Sequence, residues 1–357
     1  MKQCIILFIF IVSVNLLFGQ ASGVSRFIDS FAKKNNFNGT ILIKKKSTIT
    51  YQKSFGRANF SFKVPNNPET KYKIASITKL FTSVLIMQLA EEGKLDVSKH
   101  IRDYLPGYKG EGGDKVTIHQ LLNHSSGMVN IDTVKSIESA LKNGVPLYQK
   151  PRTTDELLRD FCSDTLVNEP GKVFDYNNAD YIILGKIIEQ LHSKSYEQVL
   201  KEKILQPLQM KNTGMLYQQD IIPQLADTYF FRDDLQKLEP DLPVYMENWY
   251  AAGAMYSTVK DLSSFTTALF GKQLLKQVSL DQMFVSGLDE YGYGVWVYKD
   301  YDINKKMYTI VKRPGQIMGA QSMIFHILEN GSTIIILSNT GTTSLDDFAA
   351  KIATKIM

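Results

Sequence analysis

Ser76-Ile77-Thr78-Lys79-Leu80-Phe81-Thr82-Ser83-Val84-Leu85-Ile86-Met87-Gln88-Leu89 places Ile77, Leu80, Phe81, Val84, Leu85 and Leu89 at helical spacing, until Gly93 stops the run. Apolar side chains spread round most of this helix, so it is expected to be buried. Upstream, Val24 to Lys33 reads as a short helix, and Gly39 to Lys45 and Thr48 to Phe55 read as the strands of an antiparallel hairpin. Downstream, helical segments at Thr117 to Asn123, Thr154 to Ser163, Ala179 to Leu191 and Tyr196 to Leu205 come before any return to strands. Strand character then recurs at Tyr293 to Tyr298, Met307 to Lys312, Gln321 to Leu328 and Thr333 to Ser338, and Leu345 to Ile356 closes the chain as an amphipathic helix. The order is strands, helices, strands. It predicts an α+β fold in which three C-terminal strands and the N-terminal hairpin form a five-stranded antiparallel sheet. Terminal helices cover one face, and a mostly helical lobe over about 95–250 is inserted.

With 357 residues, 44% hydrophobic and 22% charged, the chain is long enough for one large domain or two lobes, and no repeat or linker divides it. Its 41 Lys and Arg against 36 Asp and Glu are scattered rather than striped, so no nucleic-acid partner is expected. Lys2, the apolar run Ile5 to Phe18 and the small and polar residues from Gly19 to Gly23 have the layout of a signal peptide over 1–20, leaving 21–357 as the exported domain. The competing reading, a retained anchor, meets a run short of the ~20 residues a span needs. Cys4 falls in this leader, so Cys162 alone remains and no internal disulfide can form.

The chemistry starts at Ser76. A three-residue step on a helix puts Ser76 and Lys79 on one face, near the free N–H groups of the first turn. A serine hydroxyl needs a neighbouring base, and a desolvated lysine can serve. The same spacing recurs at Ser30 and Lys33, Ser139 and Lys142, and Ser257 and Lys260, so the pair identifies nothing alone. Tyr176-Asn177-Asn178 adds a tyrosine that can shuttle a proton beside a lysine, and an amide, Asn178, that can bind a substrate carbonyl or cap the helix from Ala179. Arg313-Pro314-Gly315 is the candidate for a strand that offers a cation and an N–H group to substrate. The alternative register, Gln316-Ile317-Met318, would put a bulky Met where backbone must approach substrate. The histidines lack metal-ligand spacing, and His119 and His124 are expected to fix the loop around Ser125, Ser126 and Gly127. Tyr291-Gly292-Tyr293-Gly294 reads as the start of a strand.

Together with Thr117-Ile118-His119-Gln120-Leu121-Leu122-Asn123-His124-Ser125-Ser126-Gly127, Pro207 to Gly214 and Ala252 to Thr258, these motifs resemble the serine β-lactamase and penicillin-binding-protein superfamily. The resemblance is greatest to its class C branch, which includes esterases and D-amino-acid peptidases. It implies an acyl-enzyme on Ser76, proton transfer by Lys79 and Tyr176, substrate contacts from Asn178, Arg313 and Gly315, and an oxyanion hole from the backbone N–H groups of Ser76 and Gln316. It implies a small-molecule or peptide substrate and no cofactor or metal. Arg313 stands where the family usually has Lys or His; it keeps the charge but cannot give up a proton. The alternative is a catalytically impaired relative that binds peptidoglycan fragments or another ligand in the same cleft.

Overall fold

Ile41 and Ile43 leave their strand on one side and Leu42 on the other, and all three are buried. A sheet that is apolar on both faces must be covered on both. The structure, a computed structural model, describes residues 23–134 and 136–357; the expected leader lies outside them. A helix over 23–34 (α1) leads into β1 (Gly39–Lys45) and β2 (Thr48–Phe55). Then come α2 (Thr78–Glu91), α3 (Ile118–Leu122), α4 (Asn178–His192) and α5 (Val259–Phe270), with shorter helices and strand pairs between them. The chain finishes with β3 (Trp296–Ile303), β4 (Lys306–Ile317), β5 (Ala320–Ile327), β6 (Ser332–Ser338) and α6 (Leu345–Ile356).

The main sheet is antiparallel and has six strands, not the expected five, in the order β3-β4-β5-β6-β1-β2. The extra member is β3, whose pairing with β4 shifts register between Tyr298 and Tyr301. That irregularity, with Asp300 in the left-handed region at φ 55°, hides its alternation. On one face α1 and α6 pack Ile28, Ala32, Phe348 and Ile352 against Ile41, Ile43, Ile334 and Ile336. Leu42, Ile335 and Leu337 join the other core, which includes α2, α4 and α5.

Two local features position the site. Gly93, at φ 68°, ends α2 in the left-handed conformation that favours glycine. More consequentially, β4 continues past the expected Lys312 to Ile317, while β3 pairs with it only up to Lys312, opposite Trp296. From Arg313 onward β4 therefore has one edge without a paired strand, which is where a strand tolerates Pro314. Among the described residues no helix is long and apolar enough to cross a membrane, and Cys162 is free and buried.

Candidate active site

Ser76 lies in a tight turn, Ala75–Ile77, that feeds directly into α2. Ala75 holds φ 46°, a conformation costly for a residue with a side chain, and this strain presents Ser76 at the surface of an otherwise buried segment. Lys79, one turn on, is completely buried. Its Nζ donates to Ser76 Oγ (3.3 Å), Asn178 Oδ1 (2.5 Å) and the Ala252 carbonyl (2.9 Å). Burial holds its pKa below the ordinary lysine value; Arg313 pushes it the same way, and Tyr176 pulls against both.

Tyr176 lies two residues ahead of α4, with its ring stacked on Trp296 at 5.9 Å between centroids and Lys79 Nζ 4.7 Å from its centre. Burial alone would raise its pKa, but the charges of Arg313 and Lys79, with hydrogen bonds to the hydroxyl, bring it down to about 8. A phenol in this state can take and return a proton near neutral pH.

Arg313 is brought to the site in a different posture from the one expected. It is 1% exposed, and Nε donates to the Ser76 carbonyl (2.6 Å), Nη1 to Tyr291 Oη (2.7 Å) and Nη2 to Tyr176 Oη (2.6 Å). A guanidinium so engaged braces the nucleophile turn and the tyrosine instead of reaching into the cleft for a substrate carboxylate. Gly315 is likewise a point of close approach. A Cβ there would lie 2.6 Å from the Ile74 carbonyl oxygen and 2.9 Å from Ser76 N, so the turn carrying Ser76 rests directly on β4. Gln316, the next residue, is exposed beside Ser76 on the cleft wall.

Asn178 does not cap α4. Asn177 does, accepting from Ala179 N, and this frees the Asn178 amide to accept from Lys79 and to donate to Asp132 Oδ2 (2.7 Å). His124 also does more than fix its loop. It is fully buried, 2.7 Å from Asp180 Oδ2 through Nδ1, with its ring 4.4 Å from that of Tyr176. Burial drives both members towards neutrality, His124 well below and Asp180 well above its ordinary pKa. His119 is tied to Tyr293 Oη (2.6 Å). Sequence reasoning did not single out Asp132, Tyr148, the Ala252 carbonyl or Trp296. Tyr291, expected at a strand start, is instead in a buried loop ahead of β3 with its hydroxyl on Arg313. Among the described residues no His, Cys, Asp and Glu cluster could hold a metal ion.

The profile of the family described as Beta-lactamase matches residues 24–355. A penicillin-binding protein from Bacillus halodurans superposes with a TM-score of 0.77 at 26% identity, covering 91% of this chain and 98% of that one. The octameric penicillin-binding protein homologue from Pyrococcus abyssi gives 0.77 at 27% identity, covering 92% and 75%. The teichoic acid D-alanine hydrolase of Staphylococcus aureus is 27% identical over 75% of this chain and 64% of its own length. Several other curated relatives are also longer, the match taking in 64% of one and 37% of another.

Proposed function

From the premise that this chain belongs to the β-lactamase family, we propose that it is a serine hydrolase that cleaves an ester or amide bond through an acyl-enzyme on Ser76. The observation that carries the reading is the convergence of Lys79 Nζ on Ser76 Oγ with Arg313 on the hydroxyl of Tyr176. Ser76 Oγ attacks the carbonyl carbon and loses its proton to the Lys79 and Tyr176 pair. The oxyanion is held by the backbone N–H groups of Ser76 and Gln316, whose neighbour Gly315 touches the Ser76 turn. When the tetrahedral intermediate collapses, the same proton passes to the departing oxygen or nitrogen, leaving an ester on Ser76. Water then adds to that ester, gives a proton to the Lys79 and Tyr176 pair, and the proton returns to Ser76 Oγ as the acid departs. Arg313 has no part in proton transfer; its fixed charge favours the Tyr176 phenolate. The leader expected over 1–20 supports export, with 21–357 as the hydrolase domain, and intact mass of protein from its host tests this.

The test of acylation is direct. Purified protein treated with a fluorophosphonate should gain one adduct by intact mass, and Ser76→Ala should gain none. A labelled penicillin run in parallel separates a β-lactam-reactive site from an esterase or peptidase. A folded protein that takes neither label would overturn the hydrolase reading and favour a relative that only binds ligands.

A further inference from the structure

His124 and Asp180 are completely buried beside Tyr176, and the mechanism above uses neither. The backbone N–H groups on either side of Tyr176 both end on His124. Asp175 N donates to its carbonyl oxygen (2.9 Å), and Asn177 N donates to its ring Nδ1 (3.3 Å). The His124 ring also packs against the Tyr176 ring, with 4.4 Å between centroids and 49° between planes. One residue thus holds the residue before Tyr176, the residue after it and the phenol ring itself. His124 takes φ 57° to do so, a left-handed conformation that a residue with a side chain keeps only where its surroundings enforce it.

The hydrogen bonds also fix where the protons of the pair reside. A backbone N–H only donates, so Asn177 N requires a lone pair on His124 Nδ1. Asp180 Oδ2 lies 2.7 Å from the same nitrogen, a distance at which one of the two atoms carries a proton. With Nδ1 already an acceptor, that proton belongs to Asp180, which is therefore a carboxylic acid, and the neutral imidazole keeps its own proton on Nε2. Among the described residues Nε2 has no hydrogen-bond partner. Its ring is enclosed by those of Tyr176, Tyr181 (5.1 Å) and Tyr291 (5.0 Å). Each of these tyrosines has a cation near it: Lys79 Nζ is 4.7 Å from the centre of Tyr176 and 5.5 Å from that of Tyr181, and the Arg313 guanidinium is 5.9 Å from that of Tyr291. An imidazolium would be a third cation in this group, and an ionised Asp180 would oppose the Tyr176 phenolate. Burial, Lys79 and Arg313 all disfavour the imidazolium; burial and Asp175 disfavour the carboxylate, against weaker opposition from Ser126 and Lys79. We propose that His124 is the positioning residue of Tyr176, acting as the Nε2–H tautomer that accepts a hydrogen bond from a carboxylic acid at Asp180, so that the charges acting on the Tyr176 hydroxyl are those of Lys79 and Arg313. This rests on the acyl-enzyme reading above and adds two residues to its machinery.

Two measurements test this, and the first needs neither a variant nor turnover. In wild-type protein isotope-labelled at the histidine nitrogens, NMR identifies His124 by its contacts to the rings of Tyr176, Tyr181 and Tyr291. The spectrum should show a bare Nδ1 and a protonated Nε2, unchanged between about pH 6 and 8. An Nδ1–H signal, or an imidazolium in this range, overturns the proposal. The second measurement is the rate of fluorophosphonate acylation against pH, in variants shown to be folded by circular dichroism. Asp180→Leu removes the donor and should slow acylation at least about tenfold, because the ring that orients Tyr176 is released. Asp180→Asn can donate to Nδ1 through its amide, so it should recover most of that loss and leave the rising limb of the profile in place. A limb lowered by about one unit or more in Asp180→Asn would mean that a negative charge had been removed, and an equal loss in both variants would mean that packing alone matters; each result overturns the proposal. A wild-type protein that takes no adduct overturns the acyl-enzyme reading and the role of the pair with it, whereas the wrong tautomer in a protein that does acylate overturns the role of the pair alone.

Discussion

Tyr176 receives opposing influences from its surroundings: burial favours the phenol, while Arg313 and Lys79 favour the phenolate strongly enough to bring its pKa to about 8. If the phenolate takes the Ser76 proton, kcat/KM should rise with pH and level off above about 8, because the reactive form is lost as pH falls through that value. Arg313 is the larger of the two charges lowering this pKa. Arg313→Gln should therefore move the rising limb upward by about one unit or more. Arg313 also holds Lys79 down, so a limb that stays in place would mean that neither Tyr176 nor Lys79 sets it. Ser76, Lys79, Tyr176 and Asn178 were legible because their spacing lies within single helical turns or one short motif. The brace was not. Arg313 meets Tyr291 only through an irregular loop, and Asp132 reaches Asn178 from another, and neither loop carries a periodic pattern that sequence reasoning can follow.

At the scale of elements, the site is a contact between the turn ahead of α2 and the part of β4 beyond its pairing with β3. The helices and most strands could be read from apolar periodicity, since β1 and β6 are buried almost throughout and their flanking turns are short. The continuation of β4 could not, because Pro314 and Gly315 are residues that normally argue against a strand. Only the loss of pairing at Lys312 makes them acceptable, and that is a property of β3. Gly315→Ala tests the contact. Its Cβ would meet Ser322 Oγ at 2.5 Å as well as the backbone of Ile74 and Ser76, so the turn or the strand must shift. We expect a stability loss of about 1–3 kcal/mol in a urea titration. Acylation should also slow at least about tenfold, since the nucleophile is displaced. Gly107→Ala, where nothing lies within 4 Å, is the control and should stay within about 0.5 kcal/mol of wild type.

Taken as a whole, the molecule encloses its six-stranded sheet between two cores, and the face towards α5 buries His326 and Lys44 in addition to its apolar side chains. His326 on β5 stacks on Phe270 at 3.5 Å and shares a 2.8 Å hydrogen bond with Thr333 Oγ1. Lys44 on β1 donates to the Ser263 carbonyl (2.7 Å) and Thr267 Oγ1 (2.6 Å) of α5. Burial, helped by the charge of Lys44, lowers His326 to about 3, and burial lowers Lys44 to about 7. In each case the unfolded chain binds a proton that the folded chain refuses, so stability falls as pH falls through the gap between the two values. For His326 the gap runs from the ordinary 6.5 down to about 3, and for Lys44 from 10.5 down to about 7. His124 acts in the same direction as His326, whereas Asp180, raised instead of lowered, acts in the opposite direction and offsets it. The contribution of His326 is isolated by comparing wild type with a variant that lacks it. Between pH 6 and 4, unfolding free energy should fall more steeply in wild type than in His326→Gln, by about 1.4 kcal/mol per pH unit, the worth of one proton. Lys44→Met should flatten the curve between pH 7.5 and 9.5 and leave the acid side steep. Parallel curves for wild type and both variants would mean that the two groups keep their protons on folding, and that this face of the sheet admits enough water to solvate them.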